Sequence, residues 1–153
     1  MIKEIDITNR ALAEKMLNIQ IPAYKVEAAL IDFDEIPPLK DTVDTLLACG
    51  ETFYGYYIED ELCGAIAIKA EGSEIDIHRL LVHPDHFRKG IAQKLLRYVE
   101  NLEGDYHTLI VSTGSKNAPA IHLYTSNGFF ETGVIEVEER LSLTSFQKKI
   151  RRE

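Results

Sequence analysis

The sequence predicts an α+β fold: a mixed, mostly antiparallel sheet of six to seven strands with helices on both faces. Three observations carry that expectation. Short segments that alternate apolar and polar residues, or are apolar throughout, recur along the chain as strands do. Between them lie segments with apolar residues at helical spacing, opened by Asn, Asp or Pro and closed by Gly or Asn. Strands and helices alternate after Glu74, which favours parallel pairing there, whereas the short turns before and after favour antiparallel hairpins.

Residues 2–7 alternate and read as a first strand. Thr8-Asn9 offers a cap for a helix through about Ile19, with Leu12, Met16, Leu17 and Ile19 inward. Pro22 should end that helix, because it lacks an N–H and its ring collides with the preceding turn. Residues 24–30 then read as a second short helix, and 31–39, with Pro37-Pro38, as a loop. Asp41 is a candidate cap for a further short helix that stops at Cys49-Gly50. Residues 52–58 and 62–69 are strands joined by the turn Glu59-Asp60-Glu61, and 74–83 is the next. A helix follows Gly90 to about Asn101, residues 108–112 form a buried strand, and a helix around Tyr124 comes next. Residues 133–139 and 141–150 supply the last two strands.

At 153 residues the chain is read as one domain, 1–153, large enough for a real core. Hydrophobic residues at 45% with charged ones at 27% fit a soluble globular protein. No apolar run approaches a membrane span, and the opening residues 1–6 do not read as a signal peptide, so no membrane partner is expected. A net charge of −8 speaks against nucleic acid, whose binding needs a basic face. The basic end, residues 148–152, reads as a solvated chain end. Cys49 and Cys63 lack metal or redox spacing and are expected as reduced thiols, consistent with a cytoplasmic location.

Two motifs point to chemistry. In the first, His83-Pro84-Asp85-His86-Phe87-Arg88-Lys89-Gly90-Ile91-Ala92 runs into the amphipathic segment from Gln93. A basic loop with a glycine, opening a helix, describes an anion site, because the helix's first N–H groups point outward and carry partial positive charge. In the second, Asn117 opens a helix with Pro119 in its first turn, where proline is tolerated, and Asn127-Gly128 closes it.

Together the motifs resemble those of the GNAT superfamily, the acyl-CoA-dependent N-acetyltransferases. The family's loop is Arg or Gln, two residues, Gly, one residue, then Gly or Ala; residues 88–92 fit it, but Phe87 stands at the first position. Asn117, Ala120, Leu123, Tyr124, Gly128 and Phe129 match the family's later helix in full. The resemblance implies the GNAT fold, with the sheet splayed at its two central parallel strands. It also implies acetyl transfer from acetyl-CoA to a primary amine, by direct attack in a ternary complex. The acceptor would be a small cationic amine or a protein or peptide amine.

For acetyl-CoA, the resemblance implies that the backbone of Phe87, Arg88, Lys89, Gly90, Ile91, Ala92 and Gln93 cradles the pyrophosphate. Leu80, Leu81 and Val82 would lie along the pantetheine and pair with it as a strand would, their side chains remaining core. Asn117 is read both as a helix cap and as a contact of the pantetheine arm, beside Ala120. Tyr124 is implied as the general acid, since a phenol is protonated at neutral pH and can donate to a departing thiolate; a plain packing role is the alternative.

The base is less sharply marked. Some ribosomal-protein acetyltransferases of the family carry a Glu five residues before the motif Asn, and that position here is Ser112. The histone branch has a Glu on the strand before the loop, which by count from Gly90 falls on Asp76. Strand alternation places Asp76, His78 and Leu80 on one face, so Asp76 and His78 are the candidate bases, alone, together or through water. Each is equally readable as a solvated strand residue. His78, His83 and His86 show no familiar zinc spacing, and no metal is expected.

The acceptor pocket of the family draws on the N-terminal helices and the last hairpin. Glu27, Asp32, Asp34, Glu35, Asp41 and Asp44 fall there, against only Lys40, which favours a cationic acceptor unless the face is merely solvated. Tyr24, Phe33, Tyr54, Tyr56 and Tyr57 are candidate walls. A non-catalytic acyl-CoA-binding sensor of the same fold is the alternative function, and a homodimer through the C-terminal strands is left open. A Rossmann dinucleotide enzyme is disfavoured, because the loop lacks the early glycines.

Overall fold

The computed structural model describes residues 1–150; Arg151 and Arg152 of the basic end lie outside the described residues. Its strands are β1 (Ile2–Ile5), β2 (Thr52–Ile58), β3 (Glu61–Glu71), β4 (Glu74–Val82), β5 (Thr108–Gly114), β6 (Phe130–Glu138) and β7 (Leu141–Lys149). They form one sheet in the order β1-β2-β3-β4-β5-β7-β6. Neighbours are antiparallel except β4 and β5, which are parallel, as the alternation after Glu74 implies. Glu59 and Asp60 both take positive φ, which gives the two-residue β2–β3 hairpin a backbone twist that matches its strands.

Helices α1 (Arg10–Ile31) and α2 (Val43–Ala48) share one core with Phe53, Ala65, Ala67 and Leu81 of the sheet. Helices α3 (Ile91–Glu100) and α4 (Ala118–Ser126) share the other, with Ile66, Ile75, Ile77, Leu109 and Phe146. No helix among the described residues is long and apolar enough to cross a membrane.

Two expectations about the N-terminal region fail. Pro22 does not end the first helix: α1 runs unbroken for 22 residues, capped by Asn9, whose side chain accepts from the Leu12 N–H. Met16, Ile19, Tyr24, Ala28 and Ile31 form one buried stripe across Pro22. Burial of that whole stripe outweighs one lost backbone hydrogen bond. The helix ends only at Asp32, in the left-handed region. The cap of α2 is Thr42, in a reciprocal box with Thr45, and not Asp41. Asp41 is instead bound to Gln20 and Arg79.

Two irregularities in β4 shape everything that follows. It pairs with β5 only from Glu74 opposite Thr108 to Ile77 opposite Val111, yet both strands continue. Beyond Ile77 they part, and the parting opens a cleft. At the same point β4 bulges against β3: Ile77 pairs with Ile68 and Arg79 with Ala67, leaving His78 over. The bulge reverses which face the side chains take. Ile75 and Ile77 belong to the core of α3, Leu81 to the core of α1, and Leu80 packs back against the core of α3. Asp76 and His78 therefore share a face, but Leu80 does not join them.

Candidate active site

The parting of β4 and β5 makes a cleft of about 960 Å³. One wall comes from the end of β4, the following loop and the start of α3; β5 and α4 close the back, and the second half of α1 forms the opposite wall. Leu80, Leu81, Val82, Phe87, Arg88, Gly90, Ile91, Ala92, Gln93, Asn117, Ala120 and Tyr124 all line it. Lys89 does not; its Nζ lies 2.9 Å from His86 Nδ1.

The loop is shaped by two left-handed residues, Arg88 at φ 65° and Gly90 at φ 75°. Gly90 occupies the cap position of α3 and supplies no side-chain oxygen, so the helix's first N–H groups are left for another acceptor. A Cβ built on Gly90 would meet nothing within 4 Å, so the approach to those groups is open. Gln93 Nε2 donates to Asn127 Oδ1 at 3.2 Å and ties α3 to the end of α4. Phe87 is half-exposed at the cleft edge.

On α4, Asn117 Oδ1 accepts from the Ala120 N–H at 3.2 Å, the expected cap. Its Nδ2 donates to Glu27 Oε1 at 2.9 Å and, at 3.4 Å, to Thr113 Oγ1. Tyr124 is buried, its ring against Phe129 and Phe146 with centroids 5.4 and 5.8 Å away. Burial, and after it the negative charge of Glu27, push its phenol pKa well up, so it holds its proton throughout the neutral range. Tyr24 behaves the same way: burial first, then Glu27 and Tyr124, outweigh Arg79 and a hydrogen bond with the Leu80 backbone.

The candidate bases from β4 are differently placed. Asp76 is half-exposed and outside the cleft lining. His78 lines the cleft, with Nδ1 3.5 Å from Glu51 Oε2 and Nε2 3.4 Å from Asp76 Oδ2. Ser112 also lines it, its hydroxyl 2.9 Å from that of Ser145.

Of the acidic segment, only Glu27 and Glu35 reach the cleft. Glu35 pairs with Lys40 at 3.0 Å, Asp32 sits by Arg140 at 3.8 Å, and Asp44 pairs with Arg10 at 2.9 Å. Asp41 is spent on a buried network around Arg79. That guanidinium donates to Asp41 Oδ2 at 2.6 Å, Gln20 Oε1 at 3.0 Å and Glu51 Oε1 at 2.8 Å. Burial opposes its charge, but Glu51 and Asp41 outweigh that and raise its pKa. Gln20 closes the network by donating to Asp41 and to the Pro38 carbonyl. Tyr24 and Phe33 wall the cleft, but Tyr54 stacks on Tyr98, and Tyr56 and Tyr57 lie under Lys94 and Lys3.

Sequence reasoning did not single out the Tyr24–Glu27–Asn117 cluster or the Arg79–Glu51 pair. Tyr24 and Glu27 are one helical turn apart within the helix expected over residues 24–30, but their meeting with Asn117, 90 positions from Glu27, has no local signal. Glu61, Cys63 and His86 also meet in space, their ligand atoms within 4.8 Å of one another. Lys89 beside His86 puts a positive charge at that cluster, which disfavours a cation there.

A mixed sheet opened at its parallel pair, with an uncapped helix start at the mouth and a buried tyrosine in the back wall, defines an acyltransferase-type architecture. The chain belongs to the GNAT acetyltransferase domain family, whose model matches residues 49–131. It is 37% identical over 146 residues to the UPF0157 protein YqkA of Bacillus subtilis (strain 168), covering 95% of this chain and 43% of that one. It thus spans less than half the length of that relative. The fold is shared with the ribosomal-protein-S18-alanine N-acetyltransferase of Escherichia coli, at TM-score 0.77 and 17% identity over 100% of this chain and 95% of that one. It is likewise shared with the PaiA N-acetyltransferase of Thermoplasma acidophilum in complex with coenzyme A. That match has TM-score 0.78 and 19% identity over 97% and 99% of the two chains.

Proposed function

We propose that this chain transfers an acetyl group from acetyl-CoA to a primary amine by direct attack within a ternary complex. The observation that carries the reading is the separation of β4 from β5 beyond Ile77, with the uncapped start of α3 at one end and Tyr124 in the wall. The coenzyme A bound by the Thermoplasma relative supports the same use of the fold.

The residues present suit each task. The first N–H groups of α3, with Arg88 beside them, suit a pyrophosphate, and Gly90 keeps side-chain atoms out of its path. Beyond Ile77 the β4 backbone has no β5 partner, so residues 80–82 can pair with the amides of a pantetheine arm. An amine attacks only as the free base, and Tyr124 holds a proton to give to the leaving sulfur. Glu27 and Glu138 in the lining, neither ion-paired among the described residues, favour a cationic acceptor, a small amine or a peptide amine, whereas Glu35 is neutralised by Lys40. The Escherichia coli neighbour acts, by its name, on a ribosomal-protein alanine; Ser112 stands at the position of the glutamate noted above for some ribosomal-protein acetyltransferases.

Thiol release from acetyl-CoA, followed across a panel of diamines, aminoglycosides and peptides, tests the proposal. Saturable release that depends on an amine is the expected result. Tight coenzyme A binding with no turnover on any acceptor would overturn it in favour of a sensor of the same fold.

A further inference from the structure

We propose that Glu27 is the catalytic base, the group that takes the proton from the acceptor ammonium; the inference rests on the acetyl-transfer reading above. Sequence patterns pointed to Asp76 and His78 for this task, and the cleft offers a better-placed group. Glu27 lies on α1 in the wall that faces Tyr124 across the cleft. Its Oε1 accepts from Asn117 Nδ2 at 2.9 Å, and among the described residues neither carboxylate oxygen pairs with a cation. Asn117 caps the helix that carries Tyr124, so one rigid element holds the proton donor and orients the proton acceptor. Tyr24 lies one helical turn before Glu27 on α1, and both line the cleft with Tyr124.

The other ionisable groups that face this space are committed or displaced. On β4, Arg79 is bound to Asp41 and Glu51, and His78 lies between Glu51 and Asp76. Glu35 is paired with Lys40, and Glu138 belongs to the exposed edge strand β6. His86 has Glu61 and Lys89 as neighbours, and Arg88 stands at the pyrophosphate end. Tyr24 on Glu27's own helix and Tyr124 on α4 remain neutral. Burial raises the Glu27 pKa, and the Asn117 hydrogen bond only partly opposes it. The carboxylate is therefore a stronger base than a solvated glutamate, as proton abstraction requires.

The proton balance is complete without a further reactant. The ammonium gives one proton to Glu27, which passes it to water. The amine nitrogen then bonds to the thioester carbon, and the carbon–sulfur bond breaks as Tyr124 protonates the sulfur. The second nitrogen proton leaves as the amide forms and restores the phenol. The products are the acetamide, the free thiol and one proton released.

The test compares two acceptors with wild type and Glu27→Gln, a variant that can still accept from Asn117. One acceptor is n-butylamine, a cation at neutral pH; the other is aminoacetonitrile, already largely uncharged there. With n-butylamine, kcat/KM should fall by about 10²-fold or more at neutral pH, and the acidic limb of its pH profile should move up to the amine's own titration. In wild type that limb should lie above the ordinary glutamate range. With aminoacetonitrile the loss should be at least about tenfold smaller, since no proton must be removed before attack. Coenzyme A affinity by calorimetry controls for folding. Equal losses on both amines, or a loss confined to KM, would overturn the base assignment and leave acetyl transfer standing. A wild-type protein that binds coenzyme A but acetylates neither these amines nor the wider panel would remove both.

Discussion

One wall of the cleft comes from one continuous stretch, residues 80–93, and offers backbone groups, the end of β4 without a β5 partner and the uncapped start of α3. The opposite wall gathers side chains from far apart: Tyr24 and Glu27 from α1 and Arg79 from β4 line it, and Gln20, Asp41 and Glu51, outside the lining, hold Arg79. Gln20 and Arg79 meet across 59 positions of sequence. A wall that acts through its backbone tolerates changes of side chain. A wall built from buried charges does not, because each polar atom there depends on one particular partner.

Breaking the second wall at its centre should have the largest effect. Arg79→Ala leaves Glu51 and Asp41 buried without their cation, and should cost about 3–5 kcal/mol of stability in urea unfolding. A loss below ~1 kcal/mol would mean that the network is worth no more than a surface pair.

The boundary between the walls is probed by Tyr124→Phe, which keeps the ring against Phe129 and Phe146. Coenzyme A affinity should hold while kcat falls by about 10²-fold, the low end for a general acid, since a thiolate leaves readily. A wild-type kcat, under conditions where chemistry limits the rate, would reduce the phenol to packing.

Pro22→Ala sharpens the comparison in the other direction. Alanine restores a helix hydrogen bond worth about 3 kcal/mol relative to proline, less ~1 kcal/mol for the freer unfolded chain. A net gain of about 2 kcal/mol is expected, read as a higher unfolding midpoint in urea. No gain would mean that α1 is already shaped around the proline.

The backbone wall should respond least in free energy. Gly90→Glu forces a side chain onto a left-handed residue and sets a carboxylate where phosphate is to bind. Coenzyme A binding should weaken by well over tenfold, about 1.4 kcal/mol or more, in a calorimetric titration. Stability should fall by about 1 kcal/mol from the left-handed backbone alone, because a Cβ there meets no other atom.

The strands, the parallel pairing after Glu74, and the two motif helices follow from local periodicity and turn chemistry. Such signals sit within a few residues of one another, so the sequence alone determined them, and with them the turn at Gly90 into α3 and the helix of Tyr124. Tertiary structure decided the rest. The helix through Pro22 exists because burial along a whole stripe outweighs one missing hydrogen bond. The face of Leu80 is set by a bulge that no alternation pattern announces. The acids of residues 27–44 look alike in sequence, yet Asp41 is bound to Arg79, Glu35 is paired with Lys40, and Glu27 lines the cleft with Asn117 as its partner. Which charge meets which partner depends on segments that only folding brings together, and the energy of a charge is set by those neighbours and its burial rather than by its place in the chain.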